Sequence, residues 1–194
     1  MGVSALYVDP KGPYPELVGI DNCWDAERDA RLYSGSGPVV AHPPCGPWGT
    51  LSHFCTKQDA TLGPVAVEQV QRFGGVLEHP AHSRLWRHCG LWPPGSLFCD
   101  SYGGFSVQLD QVRWGHKARK RTWLYVVGID RRQVGGFPPD REPTHLLTKF
   151  RLGGFGRVLT ACDRLPKVSK HERHITPPAF ARFLVDLASL CNRD

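Results

Sequence analysis

Two apolar runs of this sequence end in residues that can do covalent chemistry. The run "VVA" (39–41) gives way to His42, Pro43, Pro44 and the thiol of Cys45. The run "GVL" (75–77) is closed by Glu78, and a carboxylate in that position must find a partner or carry a raised pKa. Arg119 and Arg121 stand directly before a third apolar run, "TWLYVVGI" (122–129). A thiol, an acid and two arginines at one sheet edge would form a covalent site. The thiol attacks, the acid protonates, and the cations orient an anion or a carbonyl oxygen. A single cysteine at a strand end is more often a small core residue, so the weight falls on the four together.

The elements that must position these groups alternate in type. Strands are predicted at 5–9, 16–21, 37–42, 75–80, 104–112 and 121–129, and helices at 22–33, 61–75 and 176–190. Alternation of this kind gives an α/β sheet, in which functional residues collect at the carboxyl ends of strands. Cys45 and Glu78 both occupy such ends. The chain divides into a core (1–130), a short loop-rich substrate-recognition segment (131–172) and a C-terminal helix (173–194) that packs back on the core.

A length of 194 residues, 41% hydrophobic, suits one folded domain with a sizeable core. The seven cysteines are scattered without a CxxC pair, which points to a reducing cytoplasm rather than a disulfide framework. No apolar run is long enough to span a membrane, and no secretion signal opens the sequence. The net charge of +6 is concentrated in "RWGHKARKR" (113–121) and "DRLPKVSKHERH" (163–174), a pattern suited to a phosphate-rich partner or to a solvated basic face. His79, His82, His88, Cys89 and Cys99 raise the question of zinc. Their irregular spacing makes ordinary polar loop residues the default, and no metal is expected.

In their order along the chain, these pieces resemble the DNA cytosine-5 methyltransferases. "PVVAHPPCGPWG" is similar to that family's strand and Pro-Pro-Cys loop, and "GGVLEHP" to its strand ending in Glu-Asn-Val. "GFSVQLDQVRWGHKARKRTWLYVVG" resembles its Gly-x-Pro-Gln-x-Arg-x-Arg segment, with Lys117 and Ala118 where Pro and Gln stand in the family. "HITPPAFARFLVDLA" resembles the closing Val-Pro-Pro and helix. The resemblance implies a Rossmann-like methyltransferase-type sheet with helices on both faces. It implies that Cys45 attacks C6 of a flipped or single-stranded cytosine, that Glu78 binds N3, and that Arg119 and Arg121 hold the base or a phosphate. DNA, or a pyrimidine nucleotide, is the implied partner. His42, Pro44, Trp48, His116, Lys117, Lys120, Arg151 and Arg157 are the candidate contacts to it.

The family's cofactor is S-adenosylmethionine, received by a Phe-x-Gly-x-Gly loop. The segment before Cys45 is short and has no such loop, so the cofactor half is truncated and another donor is a live expectation. Asp21 is the candidate for the acid that binds a ribose hydroxyl, and Tyr7 and Trp24, with the C-terminal helix around Pro177 and Phe180, are the residues on hand for a compensating cofactor site. A non-catalytic DNA-binding protein built on the same scaffold remains the alternative from a different class.

Overall fold

The computed structural model describes residues 2–49, 52, 55, 58–147 and 165–192. Short, fully buried apolar runs set its sheet. β1 (Ser4–Leu6), β3 (Val39–Ala41) and most of β4 (Gly75–Pro80) are inaccessible to solvent, as strands covered on both faces must be. With β2 (Cys23–Trp24), β5 (Phe105–Asp110) and β6 (Arg121–Val127) they form one six-stranded sheet of order β2-β1-β3-β4-β6-β5. β2, β1, β3 and β4 run parallel, while β6 is antiparallel to both of its neighbours.

Helices cover both faces. α2 (Leu62–Phe73) packs Ala66, Val67 and Val70 against Leu6, Val39, Ala41 and Leu77. On the other face α1 (Tyr14–Val18) and α4 (Pro178–Ser189) pack Tyr14, Phe180, Ala181 and Leu184 against Ala5, Val40, Val76 and Leu124. The fourth helix, α3 (Leu85–His88), is a single turn beside the Cys45 loop. The architecture is therefore mixed α/β with helices on both faces, and Pro178–Ser189 packs on the core.

Two predicted elements are replaced. Residues 14–18 are helix rather than strand, because Tyr14, Leu17 and Val18 fall on one helical stripe that reaches the core, and Gly19 at φ +84° ends it. Residues 22–33 are not a helix. Cys23–Trp24 pairs with Ala5–Leu6 as β2, and the charged run that looked helical is spent on local bonds. Asp25 accepts the backbone N–H groups of Glu27 (2.9 Å) and Arg28 (2.8 Å), which offers the backbone a turn instead of a helix.

Gly75 shows how closely β3 and β4 are laid together. Its φ is +106°, and a Cβ there would run into the Val39 backbone oxygen and nitrogen. Gly75→Ala is expected to destabilise the chain by on the order of 3 kcal/mol, read as a lower midpoint in denaturant unfolding.

Candidate active site

The chain passes from β1 to β2 on one side and then from β2 across to β3 on the other side of β1, so the strand order reverses between β1 and β3. A crevice outside the carboxyl ends of such strands is the usual place for a ligand in an open α/β sheet. Here the crevice has a volume of about 810 Å³ and is lined among others by Tyr7, Tyr14, His42, Cys45, Glu78 and Lys120.

Each of these residues is brought there by backbone. The β1–β3 ladder runs one bond beyond the strands, His42 N–H donating to the Leu6 carbonyl at 3.0 Å, which fixes His42 at the rim. Pro43 and Pro44 then carry the chain to Cys45, which caps a 3-10 turn at Gly46–Trp48. Arg84 pins that turn from α3, with its N–H on the Trp48 carbonyl (2.9 Å) and its guanidinium on the Pro47 carbonyl (3.1 Å). Tyr7 follows β1 with φ +59°, a left-handed conformation that is costly for a tyrosine and is held by its hydroxyl donating to Gln69 at 2.7 Å.

Glu78 is the most thoroughly held group of the site. Alternation along β4 puts Val76 and Glu78 on the α4 face and Leu77 and His79 on the α2 face. The carboxylate is 8% exposed. One oxygen accepts from His42 Nδ1 (3.0 Å), the other from Gln111 Nε2 (2.9 Å), which also reaches the Thr122 hydroxyl (2.9 Å). His42 Nε2 is in turn hydrogen-bonded to the Tyr14 hydroxyl. Burial alone would raise the pKa of Glu78. The His42 hydrogen bond and charge, with Lys120 and His79 behind them, outweigh it and hold the pKa down to about 2. Glu78 is thus a fixed anion at rest, the partnered outcome of the two that the sequence allows.

Cys45 is a neutral thiol at rest. Burial and then the Glu78 charge push its pKa up, and Lys120 offsets part of this. Both nitrogens of His42 are already committed, one to Glu78 and one to Tyr14.

The structure sorts the other sequence candidates by place. Pro44 and Lys120 line the crevice, whereas Arg119 and Arg121 do not. Arg119 lies on Asp140 (3.2 Å) and near Asp110 (3.7 Å), and Arg121 is exposed where β6 begins. Lys117 is paired with Glu172 at 2.5 Å, and His116 is buried with Nε2 donating to the Glu172 carbonyl at 3.3 Å. Trp48 packs against His88 with the two rings tilted, its own ring above Gly63 and away from the crevice. Trp24 meets Tyr33 edge-to-face and lies beneath the Arg28 guanidinium. Asp21 is exposed and precedes β2, hence sits at the amino-terminal side of the sheet, opposite the crevice. Arg151 and Arg157 lie outside the described residues.

His79 is fully buried against Trp86. Neither ring nitrogen makes an aligned hydrogen bond, and burial pushes its pKa down to about 4. Among the described residues no group of three His, Cys, Asp or Glu side chains comes together as a metal site.

Sequence reading missed Tyr14, Gln111 and Thr122. The nearest signal was Gln111, a polar residue directly after the alternating strand 105–110.

No protein-family model, no curated protein and no solved structure matches this chain.

Proposed function

We propose that the chain modifies C5 of a cytosine in DNA through a covalent bond between Cys45 and C6. The observation that carries this reading is that Cys45 and an anchored, ionised Glu78 line the same crevice at the strand-order switch. The winding of β1–β4 in both directions from β1, with helices on both faces, supports a Rossmann-like, methyltransferase-type sheet.

The resting charges suggest how a proton moves. As the Cys45 sulfur adds to C6, the thiol proton passes to the Glu78 carboxylate, which delivers it to N3 of the ring. The C5–C6 π bond becomes an enamine, and C5 is then a nucleophile toward a one-carbon electrophile. Loss of the C5 proton to solvent, expulsion of the Cys45 sulfur and return of the N3 proton to it through Glu78 restore the ring and the thiol. His42, Gln111 and Tyr14 keep the carboxylate in place throughout.

The loop after β1 does not fit S-adenosylmethionine held on glycine amides. Pro10 and Pro13 have no N–H to offer, and those of Lys11 (2.9 Å) and Gly12 (2.9 Å) are spent on Asp9. No step is routed through that cofactor, and a different one-carbon donor, or a different seat for it, follows.

Mass spectrometry of nucleosides from DNA of cells expressing the chain tests the proposal without naming the donor. A heavier deoxycytidine is expected, absent when Cys45→Ser is expressed. Identical nucleoside profiles from both strains count against it.

A further inference from the structure

The mouth of the crevice carries a second set of groups that the covalent step leaves unused. His171, Arg173 and His174 line it, next to Lys120. They belong to a segment, 165–175, that is tied down on several sides. Leu146 N–H donates to the Pro166 carbonyl (2.8 Å), and Val168 N–H to the Leu146 carbonyl (3.0 Å). Ser169 N–H donates to Glu172 Oε2 (2.9 Å), and Glu172 N–H to the Ser169 hydroxyl (3.1 Å). Lys117 takes the other oxygen of Glu172, and Lys120 Nζ reaches the Ile175 carbonyl at 3.5 Å.

The consequence is electrostatic. Glu172, the carboxylate of this strap, is committed to Ser169 and Lys117, so it does not neutralise the cations beside it. The Arg173 Nε is buried without a partner. Burial and then Lys120, Arg173, Lys170 and His171 push the pKa of His174 down, so its ring sits among cations as a neutral hydrogen-bonding group. The acids that line the crevice at its β1–α1 wall, Asp9 and Glu16, come from a different segment. Lys120 is the link: its charge acts on Glu78, on Cys45 and on His174 alike.

We infer that the crevice takes a pyrimidine nucleotide unit, its base against Cys45 and Glu78 and its phosphate on the strap, held by Lys120, Arg173 and His174. This rests on the reading of Cys45 and Glu78 given above for the base end. The volume of about 810 Å³ falls within the roughly 300–1,000 Å³ of sites that enclose a ligand of this size. Guanidinium and ammonium groups are the natural partners of a phosphate. The phosphate is either that of a free nucleotide or that of a DNA strand entering the crevice.

Calorimetric titration of the full chain with deoxycytidine, dCMP and a short single-stranded oligodeoxycytidylate tests the inference. At least one of the two phosphate-bearing ligands is expected to bind about tenfold or more tighter than deoxycytidine, the factor of one charge-assisted hydrogen bond. Arg173→Gln is expected to close that gap with an unchanged melting temperature. Arg132→Gln, the same loss of charge at a remote pair with Asp130, is expected to keep it. Tight binding of dCMP assigns the phosphate to the free nucleotide, and tight binding of the oligonucleotide alone assigns it to a strand. Equal binding of all three ligands, or a gap that survives Arg173→Gln, overturns the inference. Because these are binding measurements, a chain that binds phosphate in this way but forms no bond through Cys45 loses the covalent reading and keeps this one.

Discussion

Cytosine in DNA incubated with the chain in deuterated water is expected to exchange its C5 hydrogen with no donor added, and Cys45→Ser to lower the rate by about three orders of magnitude or more. The enamine formed by sulfur addition at C6 has a nucleophilic C5, and without another electrophile it takes a deuteron from solvent. Loss of the original proton and expulsion of the sulfur return labelled cytosine. A hydroxyl in place of the thiol fills nearly the same space at the head of the Gly46–Trp48 turn, so the fold is retained. Its much higher pKa leaves Glu78 unable to take the proton. Exchange at wild-type rate in Cys45→Ser would show that sulfur plays no part.

Glu78→Gln is expected to lower the same exchange by about 10²–10³-fold, the range in which a positioned proton carrier acts. It should also destabilise the chain by on the order of 2 kcal/mol, because the new amide sets a donor against the donors of His42 or Gln111. The pH profile separates this residue from its neighbour. Glu78 has a folded pKa of about 2 against an ordinary 4.5, so its stabilisation is complete above pH 4.5 and is lost as pH falls toward 2. His79 has a folded pKa of about 4 against 6.5, so the unfolded chain takes up its proton first and stability falls between pH 6.5 and 4. Acid unfolding of the wild type should therefore show both losses. In Glu78→Gln the upper one remains and the lower one shrinks to what other carboxylates with depressed pKa values, such as Asp130 and Glu172, contribute. A lower loss of unchanged size in the variant would remove Glu78 from the account.

Much of the positioning frame is written locally. The runs that became β4, β6, α2 and α4 carry their own periodicity and stops, such as the Gly74-Gly75 pair between α2 and β4. Cys45 and Glu78 were legible because a polar group at the end of an apolar run is itself a signal. The chain between β1 and β3 was not, since Asp25 and Asp29 satisfy nearby backbone in ways that an acidic-then-basic run does not distinguish from a helix. Tyr14 and Gln111 reach His42 and Glu78 from 28 and 33 residues away, a meeting made by the packing of separate elements. The choice among Arg119, Lys120 and Arg121 hung on a single residue of phase before β6, and one step along an extended chain reverses the side that is presented. The sequence pattern favoured the two arginines; the crevice holds the lysine between them.

The most direct test uses DNA carrying 5-fluorocytosine, added to an extract of cells expressing the chain so that the donor is supplied. Fluorine at C5 cannot leave as a proton does, so an adduct that has taken its electrophile persists. The expected result is a protein–DNA adduct that survives denaturation and maps by peptide mass spectrometry to Cys45, with none formed by Cys45→Ser. An adduct in the serine variant, an adduct on another residue, or no adduct with the wild type would contradict covalent catalysis by Cys45.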